Sequence, residues 1–251
     1  MRIKVIAGNW KMNNDLFESK DLISRLLNGL INTTANCEVV ICPPFTSLSE
    51  ASAMIKGSTI KLGAQNFHQE EIGAFTGEVS AKMLLSTGCE FVIIGHSERR
   101  TIFMETDELI NKKILRAINN NLKPIFCVGE LLEEREKNIT EQVIQRQVLK
   151  GLENFSVGYL KNLIIAYEPV WAIGTGKTAN PQQAEEVHHF IRKLIERHFS
   201  QEFAKSLRIL YGGSVKPDNS KDLLAQKNID GALVGGACLN ADSFLNIIKS
   251  A

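Results

Sequence analysis

The stretch LIIAYEPVWAIGTGKTANPQQAEEVHHFIRKLI, residues 163–195, contains one complete strand-and-helix unit. Its first five residues are apolar and β-rich, as in a parallel strand that is covered on both faces. A helix start signal comes later, with Asn180 as N-cap and Pro181 at the first helical position. The apolar stripe of this helix comprises Ala184, Val187, Ile191, Leu194 and Ile195. Between strand and helix lie an acid, Glu168, and a segment containing two glycines.

The same kind of unit recurs along the whole chain. Its strand-like runs are IKVIA (3–7), EVVIC (38–42), IKLGA (60–64), FVIIG (91–95), PIFCV (124–128), LIIAY (163–167), RILYG (208–212) and GALVG (231–235). Helical periods alternate with these runs, without a low-complexity linker. The pattern predicts an α/β protein whose residues 1–251 form a closed (β/α)8 barrel as a single domain. An open doubly wound sheet is the competing fold, but AGNWKMN (7–13) stands where its GxGxxG motif is usual.

Composition narrows the class of protein. Lys and Arg number 29 against 28 Asp and Glu, a net charge of +1, which favours neither a nucleic-acid nor a membrane-surface partner. The five cysteines are widely spaced and include no CxxC pair, so neither a disulfide framework nor a zinc knuckle is expected. There is no run of 18 apolar residues, and because the first strand-like run begins at residue 3 we expect no signal peptide. We expect a cytoplasmic protein that binds neither nucleic acid nor membranes.

Polar side chains follow the carboxyl ends of several predicted strands. They are Asn9 and Lys11 after the first, His96, Ser97 and Glu98 after the fourth, and Glu168 after the sixth. In a barrel these ends meet at one rim, which carries the chemistry. Taken singly, Lys11 and Glu168 could be solvated charges, and His96 could be a helix cap. Their joint placement predicts an amine, an imidazole and a carboxylate around one site.

Glycines follow the last two strands and predict a phosphate site. They are Gly212 and Gly213, with Ser214 beside them, and Gly235 and Gly236. Phosphate sites in barrels lie after these strands, where backbone N–H groups and a short helix face the anion. These loops contain no arginine, which suits a small phosphate monoester better than a polyphosphate. No carboxylate pair suggests a metal, so we expect neither a metal nor a cofactor.

Five motifs together are specific enough to indicate a family. They are AGNWKMN (7–13), GHSERR (95–100), AYEPVWAIGTGKT (166–178), YGGSV (211–215) and VGGACL (234–239). They resemble the triosephosphate isomerase family from the first strand to the last. The resemblance implies a TIM barrel that interconverts dihydroxyacetone phosphate and D-glyceraldehyde 3-phosphate through an enediolate, in glycolysis and gluconeogenesis.

The resemblance also implies a role for each catalytic residue. Glu168 would take a proton from the carbon next to the carbonyl, and a neutral His96 would move protons between the two oxygens. Lys11 would supply a fixed positive charge to the phosphate and the enediolate, and Asn9 would donate a hydrogen bond nearby. Ser97 and a buried Glu98 would support this catalytic group.

Substrate binding is implied at both sides of the rim. The substrate- and phosphate-binding residues would be Asn9, Lys11, Gly174, Ser214, Gly235 and Gly236. Gly174 belongs to a lid that closes over the site, and Ile173 is its apolar tip. In the closed state Ile173 and Leu233 would clamp the base and exclude water from it.

The long connection after the third strand implies a partner. Residues 66–79, NFHQEEIGAFTGEV, resemble a loop that inserts into a second subunit, with Thr76 reaching the partner's site. Glu78 and Arg99 are expected to form an ion pair that braces this contact. A homodimer is therefore implied by the resemblance, and composition alone would leave the segment as an exposed loop.

Two other functions are compatible with the same fold. Another sugar-phosphate barrel enzyme, such as a lyase or an amino-sugar isomerase, would share the glycine loops but need not combine Lys11, His96 and Glu168. A phosphometabolite sensor without catalytic activity could dispense with Glu168. Turnover of glyceraldehyde 3-phosphate distinguishes these alternatives.

Overall fold

A closed barrel of parallel strands forms the centre of the computed structural model, which describes residues 2–31, 36–172 and 179–251. The strands are β1 (Lys4–Asn9), β2 (Cys37–Cys42), β3 (Ile60–Ala64), β4 (Phe91–Ile94), β5 (Lys123–Val128), β6 (Ile164–Tyr167), β7 (Arg208–Tyr211) and β8 (Gly231–Val234). Each strand pairs with its neighbours in chain order, and β8 closes the ring on β1 with Val5 opposite Gly231. The predicted (β/α)8 barrel and all eight strand positions are confirmed.

Helices follow the strands and cover the outside of the barrel. They are α1 (Leu16–Leu30), α2 (Leu48–Ile55), α3 (Ala81–Ser86), α4 (Ser97–Thr101), α5 (Asp107–Asn119), α6 (Leu132–Glu136), α7 (Thr140–Gly151), α8 (Pro181–His198), α9 (Gln201–Ser206), α10 (Pro217–Leu224) and α11 (Ala241–Lys249). Short 3₁₀ helices lie at Phe45–Ser47, Val170–Ala172 and Gly236–Leu239. In the described ranges no helix is both long and apolar enough to span a bilayer.

The continuous apolar runs are explained by two separate layers of core. One layer fills the barrel with Val5, Ala7, Val40, Cys42, Phe91, Ile93, Ile125, Cys127, Ile164, Ala166, Leu210 and Leu233. The residues between them, such as Ile6, Ile41 and Ile165, belong to a larger core shared with the helices. Because successive side chains of a strand point to opposite faces, both faces of each strand are buried.

The helix after β6 begins as its sequence predicts. The Asn180 side chain accepts a hydrogen bond from the N–H of Gln183, and Pro181 occupies the first turn of α8. This cap satisfies one of the N–H groups that a helix start leaves without a partner. The predicted stripe of α8 is buried along its length. The cap and stripe fix where the segment that follows Glu168 must rejoin the barrel.

The long connection after β3 projects from the rim at which the strands end. Asn66 and Phe67 at its start are buried, whereas residues 70–78 are exposed. The N–H of His68 donates to the carbonyl of Val79 at 2.8 Å, which closes the base of the loop. The loop therefore leaves the barrel and returns at nearly the same point.

Candidate active site

A cavity of about 610 Å³ opens at the carboxyl ends of the strands. It is lined by Asn9, Lys11, His96, Glu168, Gly212, Gly213, Ser214, Val215, Lys216, Pro217, Asp218, Leu233, Gly235, Gly236, Ala237 and Ser243. The structure thus brings the predicted amine, imidazole and carboxylate to the same cavity as the glycine loops. Ile173 and Gly174, predicted for the lid, lie outside the described residues.

Glu168 follows β6 directly and is almost completely buried, with 2% of its surface exposed. Its N–H donates to the carbonyl of Val128 at 2.7 Å, which continues the pairing of β5 with β6. Its Oε2 accepts the N–H of Ser97 at 2.9 Å, and its Oε1 lies 2.9 Å from Nε2 of His96. A side chain at Gly212 would start 2.8 Å from Cγ of Glu168, so glycine makes room for the acid.

His96 follows β4 and caps the N-terminus of the short helix α4. Its Nδ1 accepts the N–H of Glu98 at 3.2 Å. A nitrogen that accepts a hydrogen bond carries no hydrogen, so the hydrogen of the ring is on Nε2. That Nε2–H then donates to Glu168. His96 therefore does two things: it caps helix α4, and it hydrogen-bonds to Glu168.

Opposing effects set the pKa values of this pair. Burial lowers the pKa of His96, but the Glu168 carboxylate raises it, and the net direction is upward. Burial raises the pKa of Glu168, but the His96 ring, the N–H of Ser97 and Lys11 lower it below its ordinary value. Glu168 is therefore ionised at neutral pH.

The protonation state of His96 follows from its hydrogen bonds. An imidazolium would direct Nδ1–H against the N–H of Glu98, and this contact opposes the rise in the pKa of His96. The carboxylate of Glu98 lies 3.5 Å from Nδ1, which is longer than a normal N–H···O bond. Because the N–H of Glu98 already occupies Nδ1, we assign the neutral ring.

Lys11 reaches the cavity from a strained backbone. Its φ of +53° lies in the left-handed region, which costs a residue other than glycine about 1–2 kcal/mol. The N–H of Lys11 donates to Oδ1 of Asn9 at 3.0 Å. Gln65 donates through Nε2 to the carbonyls of Lys11 and Cys42 at 2.8 and 2.9 Å. These bonds hold the main chain of Lys11 in the strained conformation.

Glu98 differs from its prediction. Its side chain is 42% exposed in the isolated chain, so the expectation that it is buried is wrong. The reason is its position in the first turn of α4, from which its Oε1 reaches outward to Nζ of Lys11 at 2.5 Å. Glu98 therefore contacts the amine of the site from the solvent side, whereas Ser97 contacts the carboxylate from the buried side.

The glycine loops face Lys11 across the cavity. A Cβ added to Gly235 would lie 3.7 Å from Cε of Lys11. Gly236 begins a 3₁₀ helix, and Ser214 lies between β7 and α10, so N–H groups at two chain turns border the same space. Backbone N–H groups beside a lysine form a site for a small anion. Lys216, Asp218 and Ser243 also line the cavity and were not identified from the sequence.

Three residues predicted for a dimer contact lie away from this cavity. Thr76 and Glu78 are in the exposed part of the loop after β3. Arg99 donates through Nε to Oε1 of the buried Glu105 at 2.6 Å. Their predicted contacts with a second subunit stay a prediction.

Sequence reasoning missed Gln65 as part of the site. The signal for it was weak: one amide directly after β3, at the rim that also holds Asn9 and Lys11. The residue type alone does not show that its side chain donates to the carbonyls of Lys11, just past β1, and Cys42, at the end of β2. In the described residues no group of three or more His, Cys, Asp or Glu side chains lies close enough to hold a metal ion.

Comparison with known proteins agrees with the motifs. Residues 4–251 match the family model described as triosephosphate isomerase. The chain is 52% identical over 251 residues to a protein named triosephosphate isomerase from Chloroherpeton thalassium, and the match covers 100% of both chains. It is 54% identical over 249 residues to the protein of that name from Carboxydothermus hydrogenoformans, with 99% of each chain covered. With its barrel complete and its rim residues assembled, the chain belongs to the triosephosphate isomerase family.

Proposed function

We propose that this chain interconverts dihydroxyacetone phosphate and D-glyceraldehyde 3-phosphate. The observation that carries the proposal is the meeting of Lys11, His96 and Glu168 in one cavity whose other wall consists of glycine loops. The reaction removes a proton from a carbon next to a carbonyl and returns it to the neighbouring carbon. It needs a base, a donor to the oxygens and a counter-charge for the enediolate.

Glu168 is the base. Its lowered pKa keeps it ionised, and the walls of the cavity keep it almost dry. Both oxygens are engaged, one with Ser97 and one with His96, so the side chain must rotate to free an oxygen for the substrate. Proton transfer by a positioned carboxylate typically contributes 10²–10⁴-fold to the rate.

His96 is the electrophile. Its Nε2–H can donate to the carbonyl oxygen of the substrate as negative charge develops there. The same nitrogen, once it has given up its hydrogen, can accept the hydrogen of the adjacent hydroxyl. The N–H of Glu98 on Nδ1 favours the neutral ring over the imidazolium, and it stabilises the imidazolate that exists between the two proton transfers.

Lys11 and Asn9 support the negative charge of the substrate. The ammonium of Lys11 is fixed between Glu98 and the glycine loops, within reach of both the phosphate and the enediolate. Asn9 uses Oδ1 for the N–H of Lys11, which leaves its amide N–H groups for the substrate. A positive charge placed beforehand stabilises the enediolate without reorganisation.

The phosphate is bound by backbone N–H groups. Ser214, Gly235 and Gly236 offer them from the loops after β7 and β8, and Gly174 adds one from the lid. Leu233 lines the same cavity, and the lid tip Ile173 would complete an apolar cover over it. Excluding water in this way strengthens the base and protects the enediolate from losing its phosphate. The proton transfers require neither a cofactor nor a metal.

The functional unit is a homodimer. Exposed apolar side chains stand on loops that follow β1, β3 and β4, at the rim where the strands end: Met12, Ile72, Phe75, Ile102 and Phe103. Exposed apolar surface of this kind indicates a protein contact. The loop at 66–79 enters the partner, with Thr76 near its site and Glu78 paired with Arg99 of the other subunit. Within one chain Arg99 uses Nε for Glu105, and its remaining guanidinium donors are suited to such a pair.

The chain acts as one domain in the cytoplasm, in glycolysis and gluconeogenesis. All five cysteines are unpaired, as is usual in a reducing compartment. Neither a membrane nor a nucleic acid is a partner in this proposal, which fits the nearly neutral charge.

The proposal is tested by supplying D-glyceraldehyde 3-phosphate to the purified chain and detecting dihydroxyacetone phosphate with a coupled dehydrogenase. We expect turnover without added metal, and its persistence after treatment with a chelator. A folded chain that binds the phosphate ester without turnover would favour a sensor. Release of a smaller product instead would favour a lyase.

A further inference from the structure

The segment that follows β5 lies directly against the backbone of Glu168, the proposed base. The N–H of Glu168 donates to the carbonyl of Val128 at 2.7 Å, and the N–H of Val170 donates to the carbonyl of Glu130 at 3.1 Å. Gly129 lies between these two carbonyls. A Cβ on Gly129 would come within 1.7 Å of the carbonyl oxygen of Glu168. The two backbones are therefore in contact, and a displacement of Gly129 must displace Glu168.

The N–H and C=O of Gly129 have no strand to pair with. β4, the neighbour of β5 on the side away from β6, ends at Ile94 opposite Phe126. Gly129 is buried beyond that point, where a backbone group without a partner would be costly. Another element has to supply both a donor and an acceptor there.

The side chain of Gln147 supplies both. Its Oε1 accepts the N–H of Gly129 at 2.8 Å, and its Nε2 donates to the carbonyl of Gly129 at 3.0 Å. Gln147 lies on α7 and is 5% exposed. Its buried Oε1 and Nε2 in turn find their hydrogen-bond partners in Gly129. The side-chain amide of Gln147 thus pairs with Gly129 in the place that a longer β4 would occupy.

We infer that Gln147 is a positioning residue for Glu168 and acts through the backbone of Gly129. It fixes the end of β5, which fixes the peptide of Glu168 and hence the path along which the carboxylate reaches the substrate. Misplacing a catalytic group by about 1 Å can cost 10²-fold in rate. This inference rests on the proposed function, because the effect is on proton abstraction by Glu168.

The first test substitutes Gln147→Met, which keeps the length of the side chain and removes both hydrogen bonds. We expect kcat to fall about 10–100-fold. Affinity for glycerol 3-phosphate, which has the phosphate ester but no carbonyl, should change less than about threefold because the loops after β7 and β8 are untouched. The primary deuterium isotope effect on kcat, measured with C1-deuterated dihydroxyacetone phosphate, should rise because proton abstraction becomes slower.

The matched control is Val148→Ala, at the next position on α7. Val148 is completely buried but does not bond to Gly129, so its truncation destabilises the core without loosening the β5 end. We expect the control to lower the melting temperature while kcat and the isotope effect stay within about twofold of the unsubstituted chain. Equal losses of kcat in the two variants would overturn the inference.

A second variant, Gln147→Glu, tests the same positioning role if Gln147→Met does not fold. Gln147→Glu has the same shape, and a neutral carboxyl can accept from the N–H and donate to the carbonyl of Gly129, as the amide does. An ionised carboxylate can only accept. The kcat of this variant relative to the unsubstituted chain should therefore rise as pH falls from 8 to 5.5, since burial raises the pKa of such a carboxyl.

The outcomes separate the two proposals. If the unsubstituted chain does not isomerise triose phosphate, the proposed function fails. If it does, but Gln147→Glu shows a ratio that does not depend on pH and Gln147→Met keeps its kcat, the positioning role of Gln147 is wrong.

Discussion

The Nε2 atom of His96 lies 2.9 Å from Oε1 of Glu168, so the imidazole and the carboxylate form a hydrogen-bonded pair inside the cavity. The other carboxylate oxygen accepts the N–H of Ser97. The carboxylate is thereby kept ionised in a site where burial alone raises its pKa. The pKa of Glu168 therefore depends on His96.

Replacing His96→Leu should raise the pKa of Glu168, because the carboxylate loses a hydrogen-bond donor while remaining buried. A carbon-13 NMR titration of labelled glutamate carboxyl groups measures this directly. In the unsubstituted chain the folded pKa lies below its ordinary value, so the carboxylate contributes stability above the ordinary pKa and loses it as pH falls through the folded one. An identical Glu168 titration in both proteins would contradict the coupling.

Replacing Lys11→Gln should lower kcat/KM by about 10²–10³-fold, since the site loses the fixed charge that faces the enediolate. Steady-state kinetics with both triose phosphates measure the effect. The control is Lys20→Gln, which removes an equal charge from α1, where Lys20 pairs with Glu50 at the surface. If the control and Lys11→Gln lost activity equally, overall charge rather than position would be responsible.

His188 should make the fold less stable in mild acid. Burial lowers its pKa to about 3, with Nδ1 3.3 Å from the carbonyl of Asn228. The unfolded chain binds the proton near pH 6.5, whereas the folded chain does not until about pH 3. Stability is therefore lost as pH falls through this interval, by about 2 kcal/mol between pH 7 and 5.

Urea unfolding at a fixed protein concentration tests the role of His188. His188→Gln keeps an uncharged donor but cannot take up the proton, so its free energy of unfolding should fall about 2 kcal/mol less over the same interval. His198→Gln, at the exposed end of α8, is the control and should follow the unsubstituted curve. Parallel curves for His188→Gln and the unsubstituted chain would rule out this source of acid sensitivity.

Thr76→Arg should dissociate the proposed homodimer, because a long charged side chain would replace a small one at the tip of the inserted loop. Sedimentation velocity should then show the mass of one chain in place of two, and kcat should fall at least about tenfold. Tyr159→Arg changes an exposed aromatic residue near the opposite end of the barrel and is expected to leave the mass unchanged. A dimer that survives Thr76→Arg with full activity would argue against this interface.

The barrel could be predicted from sequence because each strand is buried on both faces. A run such as Phe91–Ile94 is then apolar throughout, and Glu90 and Gly95 mark its ends. Burial along a helix was harder to predict. Leu16 shares the apolar stripe of α1 with Ile23, yet it is 50% exposed, because the stripe packs only after the first turn. Periodicity gives the face of a helix but not how far along it the contact extends.

The candidate site could be predicted where residue type and strand position sufficed. Lys11, His96 and Glu168 are chemically distinctive and follow strand ends. They lie together because the carboxyl ends of all strands in a barrel meet at one rim. Gln65 and Gln147 could not be recognised in the same way. Each acts by bonding to a backbone carbonyl or N–H of a distant segment, and the sequence does not record which backbone groups lack a partner. The exposure of Glu98 likewise depends on which way α4 turns.

Substituting Glu168→Gln tests most sharply whether Glu168 removes the proton in this cavity. Its kcat with dihydroxyacetone phosphate and its affinity for glycerol 3-phosphate should be measured on the same folded preparation. We predict that kcat falls about 10²–10⁴-fold while affinity changes less than about threefold, because only the base is lost. Retention of kcat would show that Glu168 is not the base, and a loss of affinity as large as the loss of turnover would show that it mainly binds the substrate.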